Sequence, residues 1–169
     1  MNIKRFQRAF APLLLSVMLL LTACGGTATS PSVDVDAPAQ TTTTSPVDAT
    51  PQKGSAFNKF LPSGGGGYDT TFTQEKEGFA EVKLTKGGTE MAKISISDTA
   101  NNLAALSKFD GANDSVSGFP VVAQGSKATA ALVGDRYQVK VMSRNDSFTA
   151  ADREAWLQKV DLQGLARLN

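Results

Sequence analysis

FAEVKLTKGGTEMAKISIS, Phe79–Ser97, decides the fold class. Ala80, Val82 and Leu84 alternate with Glu81 and Lys83, so one side of an extended chain is apolar and the other charged. Lys86-Gly87-Gly88-Thr89 supplies a turn whose glycines accept positive φ. Glu90–Ser97 then repeats the alternation with Ala92, Ile94 and Ile96. Two such runs joined by a tight turn predict an antiparallel hairpin with one buried face.

Outward from this hairpin the pattern extends in both directions. Upstream, Tyr68–Thr73 places Tyr68, Thr70 and Phe72 on one side, and the polar Gln74–Gly78 turns the chain. Downstream, Asp98 or Thr99 is the expected cap of a short helix through Phe109, with Ala100, Leu103 and Leu106 inward and Asp110-Gly111 ending it. Val116–Gln124 reads as one strand, which Pro120 confines to an edge or a bulge. Lys127–Val133, with Ala128, Ala130 and Leu132 on one face, and Arg136–Ser143, with Tyr137, Val139 and Val141 inward, follow around a turn at Gly134-Asp135. Thr149 is the expected cap of a helix whose third residue is Asp152, and Trp156, Leu157 and Val160 form its apolar stripe. Asp161 restarts a last turn carrying Leu162, Leu165 and Leu168.

The expectation is an α+β domain: one antiparallel sheet of about six strands with two or three helices over a face. Each half, of about 45 residues, runs as three strands and a helix, which reads either as a βββα unit used twice or as a chance meander order. At the level of general arrangement this resembles PsbP-like domains. The packed region is expected over 56–169, led in by Phe57, Phe60 and Leu61 before Pro62. Gly64–Gly67 is read as a loop, because no Gly-Lys-Ser/Thr follows to make a phosphate loop.

Residues 1–23 have a different character. Lys4, Arg5 and Arg8 precede the apolar run Ala9–Leu21, a helix of roughly 20 Å against a hydrocarbon core of ~30 Å. That is the form of a signal peptide, not of a membrane span. The run ends in Leu21-Thr22-Ala23-Cys24, which resembles the lipobox of bacterial lipoproteins. The resemblance implies cleavage before Cys24 and a diacylglyceryl group on its sulfur, so membrane lipid is the first expected partner. Two or more acyl chains anchor stably where one does not. Residues 24–55 are then the lipidated cysteine and a Thr/Pro/Ser-rich tether, expected to be disordered for want of large apolar side chains. The domain is expected to be lipid-anchored and to face the periplasm, a lumen or the cell exterior.

The segments Gly118-Phe119-Pro120, Ala131–Val139, Asp152–Leu157 and Asp161-Leu162 resemble small lipoproteins of cyanobacteria, over the C-terminal third of the chain. That resemblance implies location and fold, with no catalytic residue to carry over.

Composition narrows the chemistry. Histidine is absent, which removes the commonest neutral-pH base and the usual zinc ligand. The one cysteine is Cys24, so no internal disulfide can form. Of 17 Lys and Arg, removing Lys4, Arg5 and Arg8 leaves 14 against 16 Asp and Glu, a balance without the basic stripe of a nucleic-acid binder. No Ser-x-x-Lys occurs after Cys24. The pairs Glu75/Glu77 and Asp110/Asp114 fall in turn-like segments, and Asp110–Asp114 lacks calcium-loop spacing. No catalytic residue, metal site or cofactor is expected. Arg136 and Arg153 are the candidate recognition surface, beside Tyr137 and Trp156, which read as core aromatics. The expected function is a non-enzymatic binding or accessory lipoprotein for an envelope or thylakoid protein. A small-ligand-binding lipoprotein is the alternative, and a hydrolase comes third.

Overall fold

The computed structural model describes residues 50–100 and 102–168; the expected signal peptide, Cys24 and most of the tether lie outside them. The seven strands are β1 (Tyr68–Lys76), β2 (Phe79–Lys86), β3 (Thr89–Asp98), β4 (Asp114–Val116), β5 (Phe119–Gln124), β6 (Ala128–Val133) and β7 (Tyr137–Ser143). They form one antiparallel sheet in the order β1-β2-β3-β7-β6-β5-β4. Two meanders thus meet at the centre, where β3 pairs with β7. The helices are short: α1 (Leu103–Leu106), α2 (Ala150–Leu157) and α3 (Leu162–Leu165), with 3₁₀ turns at Gly54–Phe60 and Ser107–Phe109.

The hairpin Phe79–Ser97 forms with the expected faces: Ala80, Val82, Leu84, Ala92, Ile94 and Ile96 are all buried. On that side they meet Phe57 and Phe60 of the 3₁₀ turn, Trp156 and Leu157 of α2, and Leu162 and Leu165 of α3. Aromatic edges lock the layer, with Tyr68 5.3 Å from Trp156 and Phe57 5.8 Å from Tyr137, centroid to centroid. Among the described residues, the opposite side of the sheet carries a smaller buried cluster, where Phe109 lies on Ala130 and Leu132.

The sheet has seven strands, not about six, because Val116–Gln124 is not one strand. Ser117 (φ 53°) and Gly118 (φ 84°) fold it into a two-residue hairpin between β4 and β5. Pro120 fits there without loss. Val116 and Phe119 flank the turn, so the next pair, Ser115 and Pro120, is a non-hydrogen-bonded one, and the ladder to β6 begins only at Val121.

Two further expectations are corrected. The first helix starts at Leu103, capped by the Asn102 side chain, since Asp98 and Thr99 are both engaged by Arg136. Leu103 is consequently 64% exposed and not part of an inner stripe. In β6 every residue is buried: Ala128, Ala130 and Leu132 share one face as expected, and Thr129, Ala131 and Val133 face the helices on the other side. Packing also begins before Ala56. Gly78 donates to the Gln52 carbonyl, and Gly54 is buried so close to β1 and β2 that a Cβ would stand 2.6 Å from the Phe79 carbonyl oxygen.

The last two helices follow the sequence. Thr149 and Asp152 form a reciprocal capping box on α2, and Asp161 accepts from the Gly164 N–H at the start of α3.

Candidate functional site

Arg136 follows the turn at Gly134-Asp135, and Asp98 closes β3. The β3–β7 register brings the two together. Nε of Arg136 donates to one Asp98 oxygen at 3.0 Å and Nη2 to the other at 2.8 Å. The same carboxylate accepts from the backbone N–H groups of Gln52 and Ala100, and Nη2 also reaches the Thr50 carbonyl. The Asp98 side chain is 1% exposed and that of Arg136 22%. Burial alone would raise the Asp98 pKa, but hydrogen bonds from Arg136, Gln52 and Ala100 outweigh it and hold the carboxyl below its ordinary value. The hydrogen bond to Asp98 in turn raises the Arg136 pKa. Arg136, expected as recognition surface, therefore works as an internal clamp on the segment Thr50–Gln52.

Arg153 is the fourth residue of α2 and only 6% exposed, so it is not an open recognition surface either. Its Nε donates to Thr129 Oγ1 and its Nη1 to Ser143 Oγ, each at 2.9 Å, while Ser143 donates to the Phe148 carbonyl. Among the described residues no carboxylate lies within ion-pair distance of Arg153; the pairs are Glu81–Lys93, Asp146–Lys127, Asp98–Arg136 and Glu90–Arg144. Nη2 has no hydrogen-bond partner among those residues, yet it is not one of the side-chain atoms sealed from solvent without a partner. Arg153 lines a concavity of about 220 Å³ together with Ser126, Lys127, Asp146, Thr149 and Ala150. Lys127 and Asp146 pair at its rim at 2.9 Å, both largely exposed.

Sequence reasoning selected both arginines and missed their partners. Thr129 and Ser143 are hydroxyls on the helix-covered face of otherwise apolar strands. That misfit was the available signal: a polar residue at a core position needs a hydrogen-bonding partner across the core. Tyr137 and Trp156 are both buried; burial raises the Tyr137 pKa, and its hydroxyl donates to the Leu168 carbonyl.

At the other end of the sheet, β1 is an edge strand of nine residues, mostly exposed on both sides. Phe72 stands on it 53% exposed. A bulge between Phe72 and Gln74 interrupts its pairing with β2. Thr50, Pro51 and Lys53 share a shallow concavity with Glu75 and Lys76 of this strand, so the clamped segment emerges beside it. Of the acidic pairs in the sequence, Glu75 accepts from the Asn58 amide. Among the described residues no three Asp, Glu, His or Cys side chains gather as metal ligands, and no helix is long and apolar enough to cross a membrane. Cys24 lies outside the described residues. Comparison with protein-family models, curated proteins and solved structures found no match.

Proposed function

We propose that this chain is a lipid-anchored, extracytoplasmic binding module that acts by contact with an envelope or thylakoid-lumen protein. Anchoring rests on the leader and on Leu21-Thr22-Ala23-Cys24. The binding half rests on one observation, the β1 edge, which pairs with no further strand among the described residues and carries exposed Phe72. An edge strand offers unpaired backbone donors and acceptors to an extended partner segment, and an aromatic side chain beside them gives that segment an apolar contact. The Asp98–Arg136 clamp supports the same reading, because it fixes Thr50–Gln52, the first of the described residues, next to this edge. As a flexible spacer, the Thr/Pro/Ser-rich stretch between Cys24 and Thr50 reaches ~25–30 Å. A partner in the same membrane is then met at raised effective concentration.

The two meanders also support reading the fold as a βββα unit used twice, with β4 added to the second copy and the final strands β3 and β7 joined. The helices of the two units pack on opposite faces, α2 on one and the turn around Phe109 on the other, so any common origin has not kept the packing.

The test places a photocrosslinking residue at Thr71 of the full-length chain in its native membranes. Adducts with a membrane-associated protein are expected, lost with Phe72→Asp and depleted with Cys24→Ala. Adducts indifferent to Phe72→Asp would remove the edge-strand reading. Mass spectrometry of the mature amino terminus checks the anchor separately: a terminus other than acylated Cys24 would overturn it.

A further inference from the structure

The geometry points to an oxyanion site of the phosphate class in the concavity around Arg153. A guanidinium 6% exposed and without a countercharge among the described residues is costly to keep. Its position adds to that cost. Arg153 lies near the amino end of α2, where the aligned peptide dipoles present partial positive charge and a cation is disfavoured. Stability alone would favour an acidic or neutral side chain there. Two sources of positive potential thus converge on one small hollow.

The hollow is built to hold that cation in place. Thr129 and Ser143 fix Nε and Nη1 from two neighbouring strands, which orients the guanidinium of this lining residue and leaves Nη2 without a partner among the described residues. Lys127 at the rim adds a second cation, and Ser126 a hydroxyl. Two groups of opposite sign stand nearby. Asp152 is turned back onto Thr149 by the capping box, with its oxygen at 2.7 Å from the Thr149 N–H nitrogen. Asp146 holds Lys127 across the mouth and is almost wholly exposed. An incoming oxyanion would replace Asp146 as the partner of Lys127 while accepting from Arg153 Nη2. A volume of about 220 Å³ admits a tetrahedral oxyanion with room beyond it for a substituent. The shared chemistry is a phosphate group, carried either by a free phosphate compound or by a lipid headgroup.

The test is calorimetric titration of the full-length, detergent-held chain with inorganic phosphate, with short-chain phosphatidylglycerol below its micelle concentration, and with acetate. Saturable phosphate binding is expected, weakening as salt is added. Asp146→Asn, a surface change, should tighten binding by about threefold and Lys127→Gln should weaken it by a similar factor. Arg153→Gln should abolish binding, with far-ultraviolet circular dichroism checking its fold. Should that variant unfold, the two surface variants still decide the matter. Tighter binding of phosphatidylglycerol assigns the site to lipid headgroups, and tighter binding of inorganic phosphate to free phosphate compounds. Stronger binding of acetate, no saturable binding, or equal phosphate affinity in the wild-type chain and both surface variants would overturn the proposal.

Discussion

Arg136 grips Asp98 with two nitrogens on two different oxygens, and through that grip residues 38 positions apart fasten the segment at Thr50–Gln52. Because the Asp98 side chain is almost fully enclosed, losing the arginine leaves a buried carboxylate without its charge partner. Arg136→Ala is therefore expected to cost about 2–4 kcal/mol in urea denaturation, more than a surface ion pair could. A double-mutant cycle with Asp98→Ala should return a coupling of at least about 1 kcal/mol. Additive single effects would mean that the two side chains act separately.

The same pair sets an acid limit on stability. Asp98 has a folded pKa below its unfolded value of about 4. Its contribution is therefore complete above that unfolded value and is lost as pH falls through the depressed folded one. Asp152 follows the same rule, its pKa lowered by hydrogen bonds from Thr149. Thermal melts from pH 6 downward are expected to show the Asp98→Asn variant losing less stability with acid than the wild-type chain. Parallel curves would contradict the assignment.

Gly54 answers to space. A methyl group there would collide with the Lys76 and Phe79 carbonyl oxygens, so the 3₁₀ turn carrying Phe57 could not seat. Gly54→Ala is expected to cost about 1–3 kcal/mol. Limited proteolysis should then open the chain between Thr50 and Leu61, where the wild-type domain resists. A variant as resistant as wild type would show that the docking of this turn is looser than described.

Leu132 and Leu103 separate real burial from apparent periodicity. Leu132 lies under Phe109, and Leu132→Ala is expected to lose about 2–4 kcal/mol. Leu103, read from sequence as part of an inner stripe, is exposed, so Leu103→Ala should stay within about 0.5 kcal/mol of wild type. The two midpoints by urea denaturation check both values.

These contrasts mark what the chain discloses locally. The Phe79–Ser97 hairpin is legible because only one of its faces is covered by the core, which writes burial into a period of two. In β6 both faces are covered, so Ala128–Val133 carries no alternation of burial, and its sequence does not tell the helix-covered face from the other. The β4–β5 break was hidden in Ser117-Gly118, a turn without the usual asparagine or aspartate signal. The start of α1 depended on Arg136, remote in sequence, drawing Asp98 and Thr99 away from capping. The site was legible only in its arginines. Their partners Asp98, Thr129 and Ser143 are brought to them by the tertiary fold; a hydroxyl at a core position signals that a partner is needed but not which one.

The central β3–β7 pair has a kinetic consequence. Within each meander every strand pairs with its sequence neighbour, so those contacts close short loops. Of the strand pairings among the described residues, those from Ala92–Ser143 to Asp98–Tyr137 alone join distant stretches of chain. Finishing the sheet thus requires one long closure between β3 and β7, and its entropy is expected to slow folding more than any of the short hairpin closures does.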